Sequence, residues 1–504
     1  MTTASATAAS TPAPAARRHA VPAIAAAIAV GAAFTALVVA GLLRTRLWED
    51  EAYNLSVPLN LALGRGYLSA GILNDGVPAL FDPKVSTGPA VLAPIAPLIA
   101  AGVDPVTAGR LVGAAFALAL AAGLLLFGRR IAGMWGGIAA VSALVLFTAA
   151  DSASPIQGLT DVLGELPAAA FLVFAVLTLR RHPLAAGALI GLAFESKNLS
   201  VLAIPALVVG AVLSGDATRQ RIRHVLLLAA GAAIPVAVFE MVRLVALGPG
   251  GYLTSVRALG RFLLSGGQSG FSSPWWEKAG AALAAWSLPA WVPAILLAAA
   301  MAVLVVARRS PLLGRALGRV RIELIVVASL FVLWTVWWWV SSSTPVWVRH
   351  PAPALVLAGA VVAALLVLAV RALAAGRRAS RIASWSVAVA LCLAVAGGAV
   401  VRLADVYDPR RESLAQQRAT AEAIALDDGT DRVHGSWGPP VSIAFLQGKR
   451  LVLPGEGGGQ DGVWTFPPGI DDLVAGGDAV GVESCADPVE NRGYRSCLLR
   501  GVSG

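Results

Sequence analysis

Apolar residues fill most of this chain in stretches far longer than a soluble helix or strand requires, and short polar segments interrupt them at intervals. A helix needs about 20 mostly apolar residues to cross a bilayer core. The pattern predicts eleven spans, near residues 21–43, 110–128, 135–150, 162–179, 184–195, 199–213, 225–247, 281–306, 322–340, 351–370 and 384–401. The stretch 184–213 reads as a hairpin of two short spans with Ser196-Lys197-Asn198 at its tip. One further run, Thr87–Gly102, carries Pro89, Pro94 and Pro97. It would reach only about 24 Å as a helix, so it is expected to lie at the membrane interface. Beyond residue 401 the pattern changes. A helix is expected over Glu412–Leu426 and strands over Arg432–Ser436 and Arg450–Leu453, which together suggest a small α/β module.

Composition narrows the class. The 504 residues are 57% hydrophobic and 13% charged, with a mean hydropathy of +0.74. Soluble domains carry about 25% charged residues, so a soluble enzyme, a disordered protein and a disulfide scaffold are excluded. The net charge of +10 divides into +15 over residues 1–401 and −5 over 402–504. Arginine clusters recur between the apolar runs: Arg17/Arg18, Arg129/Arg130, Arg180/Arg181, Arg219/Arg221/Arg223, Arg308–Arg321 and Arg371–Arg381. The positive-inside rule puts them in the cytoplasm. The N-terminus is then cytoplasmic, with a disordered leader over 1–20, a membrane domain over 21–401 and an extracytoplasmic domain over 402–504. The outer loops are 44–109 and 248–280. Acids collect on the outer side, among them Glu49, Asp50, Glu51, Asp75, Asp82, Asp104, Asp151, Asp161 and Glu277. No nucleic-acid partner is expected, because the arginines sit at the ends of apolar runs rather than in an aromatic-bearing patch. Cys485 and Cys497 can pair in an oxidising compartment, and Cys392 reads as a small core residue.

Candidate chemistry concentrates in the first outer loop, which opens Arg46-Leu-Trp-Glu-Asp-Glu-Ala-Tyr53. If a helix starts there, successive side chains diverge by about 100°. Asp50 and Glu51 then cannot address one target, so one acts while the other caps or orients. The plainer alternative makes Asp50 a helix N-cap. Lys84, Lys197, Arg257, Arg261 and Arg349-His350 fall on the same predicted side. Together they suggest a held anion such as a polyprenyl phosphate headgroup, although each alone also reads as a snorkelling side chain. Glu195, Glu240 and Arg243 fall inside predicted spans, the last two at i,i+3 spacing for an ion pair. Trp337-Trp338-Trp339 reads as an interfacial aromatic belt. No zinc, phosphate-loop or dinucleotide signature is present, and neither a metal nor another cofactor is expected. One acidic cluster with scattered cations suits transfer from a phosphate leaving group, which needs a base for the acceptor proton and cations for the departing anion. A glycosidase would want two separated carboxylates.

Four segments carry a family resemblance. Trp48-Glu-Asp-Glu-Ala-Tyr53, followed by Asn60-Leu-Ala-Leu-Gly64 and Gly66-Tyr67, resembles the opening outer loop of GT-C-fold membrane glycosyltransferases of the protein O-mannosyltransferase and lipid A aminoarabinose transferase type. Thr87-Gly-Pro89 with Ala108-Gly-Arg110, then Gly191-Leu-Ala-Phe-Glu-Ser-Lys197, then Arg349-His-Pro-Ala-Pro353, keep the family's order. The resemblance covers roughly residues 20–370. It implies an all-α polytopic membrane domain that moves a hexose or pentose from a polyprenyl-phosphate sugar donor to a glycan, lipid or protein acceptor, in contact with membrane lipid. Asp50 matches the base position. Glu51 is expected as its partner, and Lys84, Lys197, Arg257, Arg261, Arg349 and His350 as donor phosphate or sugar contacts. The family often has Tyr where His350 stands, and the tail inherits no function. The rival readings are a transporter or flippase for a lipid-linked or anionic solute, which would favour midplane ionisable groups and inverted repeats, and an envelope scaffold working through its tail.

Overall fold

In a computed structural model of the chain, the described residues are 14–74, 76–147, 158–264, 276–280, 305, 310–341, 349–374, 377–425, 432–435, 437–453, 471–475, 485–492 and 494–499. Among them, six helices are long and apolar enough to cross a membrane: Val21–Leu43, Pro105–Leu146, Thr218–Arg261, Arg321–Val340, Ala352–Ala372 and Trp385–Val406. The chain is a multi-pass membrane protein.

Two of these helices are longer than any bilayer requires, and both are broken by glycine. Helix α5 (Pro105–Phe147) loses helical geometry at Ala132 and at Gly133, where φ is 67°. The two halves then fold back on each other. A Cβ at Gly128 would lie 2.2 Å from the carbonyl oxygen of Gly136, an approach only glycine allows. The expected spans 110–128 and 135–150 are therefore the arms of one hairpin, with Arg129 and Arg130 at its bend. Helix α9 (Thr218–Leu264) breaks at Gly248. On a straight helix Arg243 and Ser255 would stand about 18 Å apart, yet the Arg243 guanidinium donates to Ser255 Oγ at 2.7 Å. The expected outer loop 248–280 is thus helical as far as Leu264. Its proline, Pro249, opens the second arm, where a missing N–H costs nothing. The expected span 281–306 lies almost wholly outside the described residues, as do Asp75 and Asp151.

Helices α6 (Glu165–Thr178), α7 (Pro183–Phe194) and α8 (Ala203–Leu213) are short; α6 packs inside the bundle, whereas α8 buries one face and exposes Ile204, Val209 and Val212 on the other. Most of α6 is buried around its full circumference, which is why its sequence shows no polar stripe. By contrast Ile222, Leu226, Ile234, Val238, Met241 and Val245 on α9 are exposed, a face suited to lipid. The proline-rich run forms a broken helix, α3 (Pro89–Leu92) and α4 (Ala96–Ala100), joined by one 3-10 turn. Gly88 lets this segment sit directly on the α7–α8 turn, with its N–H on the Ser196 carbonyl at 3.0 Å and the Ala90 N–H on the Glu195 carbonyl at 3.1 Å.

After α10 (Pro311–Arg319), α11 (Arg321–Ser341), α12 (Ala352–Leu373) and α13 (Arg377–Val406) comes the tail. Its first helix, α14 (Leu414–Ala423), starts with a capping box between Ser413 and Gln416. A five-stranded sheet follows, in the order β2-β1-β3-β5-β4. The strands are β1 (Arg432–His434), β2 (Arg450–Val452), β3 (Asp471–Ala475), β4 (Cys485–Asn491) and β5 (Tyr494–Leu499), with α15 (Pro439–Leu446) linking the parallel pair β1 and β2. Cys485 and Cys497 lie on the antiparallel strands β4 and β5, but their side chains, and so their pairing, lie outside the described residues. Cys392 is free and half-buried in α13.

Two apolar cores result. One fills the helical bundle. The second joins helix α2 (Glu49–Ala62), the broken helix α3–α4, the start of α5 and the tail, through residues such as Leu47, Leu55, Leu92, Val162, Ile424, Val441 and Ile443. The candidate site lies where the two meet.

Candidate active site

Helix α2 begins after Trp48, whose backbone is extended and whose side chain caps nothing. Glu49, Asp50 and Glu51 occupy the first turn, where the helix dipole favours negative charge. Asp50 is inside the helix, so the N-cap reading of it does not hold. The 100° turn per residue then separates the pair. Asp50 points to Arg349, with which it forms a close ion pair. Glu51, about 100° round the helix from Asp50, forms a two-pronged ion pair with Arg110 at 3.0 and 2.9 Å, both side chains fully buried. Arg110 also donates to the carbonyls of Gly41, Thr45 and Arg46 at 2.8–2.9 Å. Its planar fork thus ties the end of α1 (Pro14–Leu43) to the start of α2.

Asp50, Tyr53 and Asn54 share one face of α2 by their i,i+3 and i,i+4 spacing. That face forms one side of a small recess of about 30 Å³, also lined by Lys84, Ser86, Arg349, His350 and Trp437. The loop bearing Lys84 is fixed by Asp82, whose carboxylate accepts from Tyr53 Oη at 2.6 Å, Ser69 Oγ at 2.7 Å, Asn74 Nδ2 at 2.7 Å and the Lys84 N–H at 2.9 Å. Lys84 Nζ donates to the Leu73 carbonyl. Asn54 Nδ2 bridges Thr87 Oγ1 and the Val162 carbonyl at 2.9 and 2.8 Å, fastening this face of α2 to the start of the proline-rich segment.

The charges form a chain. Lys197 Nζ meets Glu165 Oε1 at 2.9 Å, Glu165 Oε1 stands 4.0 Å from Arg349 Nε, and Arg349 reaches Asp50. Burial, together with the positive charges of Lys197 and Arg349, pushes His350 down to about 3, so its imidazole is neutral at ordinary pH. Burial and the Asp82 charge push the Tyr53 phenol up, keeping it protonated as a donor. Burial likewise raises Glu49. For His350 the linkage to stability has a definite sign. Below pH 6.5 the unfolded chain takes up a proton that the folded site refuses. Stability is therefore full above pH 6.5 and declines as the pH falls towards 3. Thermal midpoints of the detergent-solubilised protein should fall between pH 7 and 5, with a shallower slope in His350→Gln. An identical slope in both proteins would contradict this environment.

Of the sequence-derived candidates, Asp50, Lys84, Arg349 and His350 share the recess. Lys197 is buried and acts on it through Glu165. Glu51 faces away from it. Arg257 and Arg261 line a separate recess with Thr254, Gly260 and Leu264, because the break at Gly248 turns their helix into an arm of its own. Tyr53, Asn54, Ser86, Glu165 and Trp437 escaped the sequence reading. A signal existed for Glu165, an acid opening an apolar run. None existed for Trp437, which lies 387 positions from Asp50. Glu240 and Arg243 form the expected i,i+3 pair, at 2.8 Å.

The same architecture occurs in solved structures. ArnT from Cupriavidus metallidurans bound to undecaprenyl phosphate superposes with a TM-score of 0.53 at 15% identity, covering 85% of this chain and 86% of that one. The fold is GT-C. The apo state of the same ArnT matches at 0.53 and 16% identity, covering 85% of each chain. Archaeal oligosaccharyltransferase AglB from Archaeoglobus fulgidus, in complex with an inhibitory peptide and a dolichol-phosphate, matches at 0.51 and 13% identity. It covers 86% of this chain, which spans 64% of AglB. No family model and no curated protein matches the sequence. Within this GT-C chain, the α2 recess and the proline-rich helix sit at the end of the bundle where the tail is docked.

Proposed function

We propose that the protein is an inverting glycosyltransferase that uses a polyprenyl-phosphate sugar and acts on the extracytoplasmic face of the membrane, where the α2 recess and tail lie. The observation that carries this reading is a solvent-open carboxylate, Asp50, facing Arg349 and Lys84 at the rim of a lipid-embedded bundle. Donor phosphate is held by Lys84 and Arg349, with Arg349 turned towards it by Glu165 and Lys197. Asp50 takes the proton of an acceptor hydroxyl. The hydroxyl oxygen bonds to the anomeric carbon while the bond from that carbon to the phosphate oxygen breaks. The electron pair leaves with the phosphate, giving polyprenyl phosphate and an inverted glycoside. Cations fixed around the departing anion stabilise the developing charge. Glu51 contributes as a positioning residue, holding the first turn of α2 through Arg110. The GT-C fold and neighbours that bind undecaprenyl phosphate and a dolichol-phosphate support the donor class.

A transporter would need ionisable groups available along a path through the bundle. Glu240 and Arg243, in the long α9, neutralise each other instead. Incubating the purified protein with several polyprenyl-phosphate sugars and an envelope extract should release polyprenyl phosphate with formation of a glycoside. Uptake of labelled solute into vesicles with no covalent product would overturn the reading.

A further inference from the structure

The tail supplies one wall of the recess. Trp437 lies between β1 and α15, partly exposed, and meets Tyr53 edge to face, with ring centroids 6.0 Å apart and planes at 83°. Its position is held from both sides. The next residue, Gly438, has φ 137° and ψ −145°, a conformation essentially open to glycine alone. Five residues past Trp437, Ser442 Oγ donates to the Leu47 carbonyl at 2.8 Å, three residues before Asp50. Gln417 closes the same joint: the Leu47 N–H donates to its Oε1 at 2.6 Å, and its Nε2 donates back to the Leu47 carbonyl at 3.2 Å. An ion pair between Arg418 and Asp104 at 2.7 Å secures the other edge. The indole is therefore registered to Asp50 through a short and fully bonded path.

The recess is chemically two-sided. Its membrane-domain side carries Asp50, Lys84 and Arg349; its tail side is an indole. A charged phosphate gains most from the cationic side, where Lys84 and Arg349 stand, and little from the flat face of the indole; a lipid tail would approach from the bundle rather than from the tail. A sugar ring fits both sides, since it has an apolar C–H face and a rim of hydroxyls, and a half-exposed tryptophan offers a flat apolar surface with a polar edge. Resting on the glycosyl-transfer reading, we propose that Trp437 is a specificity-determining residue against which a saccharide acceptor stacks, so that its attacking hydroxyl faces Asp50. The acceptor is a glycan rather than a protein or a lipid, and the tail is part of the acceptor site.

The test uses the full-length protein in lipid nanodiscs with a polyprenyl-phosphate sugar donor. Three acceptor types are offered: short pentose and hexose oligosaccharides, a serine/threonine peptide and a lysophospholipid. Transfer to an oligosaccharide is expected. Trp437→Ala should raise the oligosaccharide KM at least tenfold with the donor KM within twofold, and Trp437→Phe should restore most of the affinity. Transfer confined to the peptide or the lysophospholipid would overturn the proposal, as would an unchanged oligosaccharide KM or equal rises in both KM values. Saturation-transfer NMR with the same oligosaccharides gives an activity-independent readout. Binding lost in Trp437→Ala and kept in Trp437→Phe supports the proposal even if no donor is consumed, an outcome that would sink the transfer reading alone. Absence of binding to the wild type overturns it.

Discussion

Asp50→Asn is expected to lower the rate of sugar transfer by about 10²–10⁴-fold, the span typical for loss of a positioned general base. The substitution preserves the shape of the side chain and a polar contact to Arg349, but its amide cannot accept the acceptor's proton. Donor binding should change little, because Lys84 and Arg349 remain. The loss should therefore appear in kcat rather than in the donor KM. Yield in membranes and elution on size exclusion should match wild type, since the Asp50 side chain is one-quarter exposed at the recess and carries no part of either core. Full transfer activity in this variant would reject Asp50 as the base.

Arg110→Ala should be among the most destabilising single changes in the molecule. It strands the fully buried Glu51 carboxylate and removes the guanidinium from the carbonyls of Gly41, Thr45 and Arg46, of which, among the described residues, Gly41 alone keeps another side-chain donor, Thr45 Oγ1. Breaking a buried ion pair from one side costs about 3–5 kcal/mol. A second acid aggravates the loss. Asp161 is buried nearby, and burial plus the Glu51 charge already push its carboxyl well above the usual range, while Arg110 opposes that rise. A clear drop in the thermal midpoint of the solubilised protein is expected, with activity lost through displacement of the first turn of α2. Arg110→Lys should recover only part, because an ammonium cannot reproduce the two-pronged contact. A midpoint within a degree or two of wild type would show that the clamp is dispensable. Asp50→Asn removes chemistry and spares the fold, whereas Arg110→Ala, acting through Glu51, loses stability first and activity as its consequence.

The membrane class, the consecutive spans 110–128 and 135–150 and the hairpin 184–213 were legible in the sequence because each depends on local quantities. Apolar run length and the polar interruptions at Arg129/Arg130 and Ser196-Lys197-Asn198 are sufficient for them. The divergence of Asp50 and Glu51 was likewise legible, since a fixed rotation per residue separates adjacent side chains on any helix. Which of the two meets the recess was not, because that depends on where Arg110 and Arg349 stand after packing. The outer loop expected over 248–280 is helical because its Gly-Pro-Gly-Gly opening marks a reversal of the chain and not an end of helical structure. Arg257 and Arg261 leave the site for the same reason, and Lys197 is drawn inward by Glu165.

The sequence by itself determined that this is a membrane-embedded helical protein with an acidic cluster and cations near one face, because hydrophobic length and charge position act residue by residue. Only the tertiary structure decided which of those charges meet. Asp50, Arg349 and Trp437 come from distant parts of the chain, and the contacts that join them arise from close packing of two cores whose complementarity no local pattern encodes.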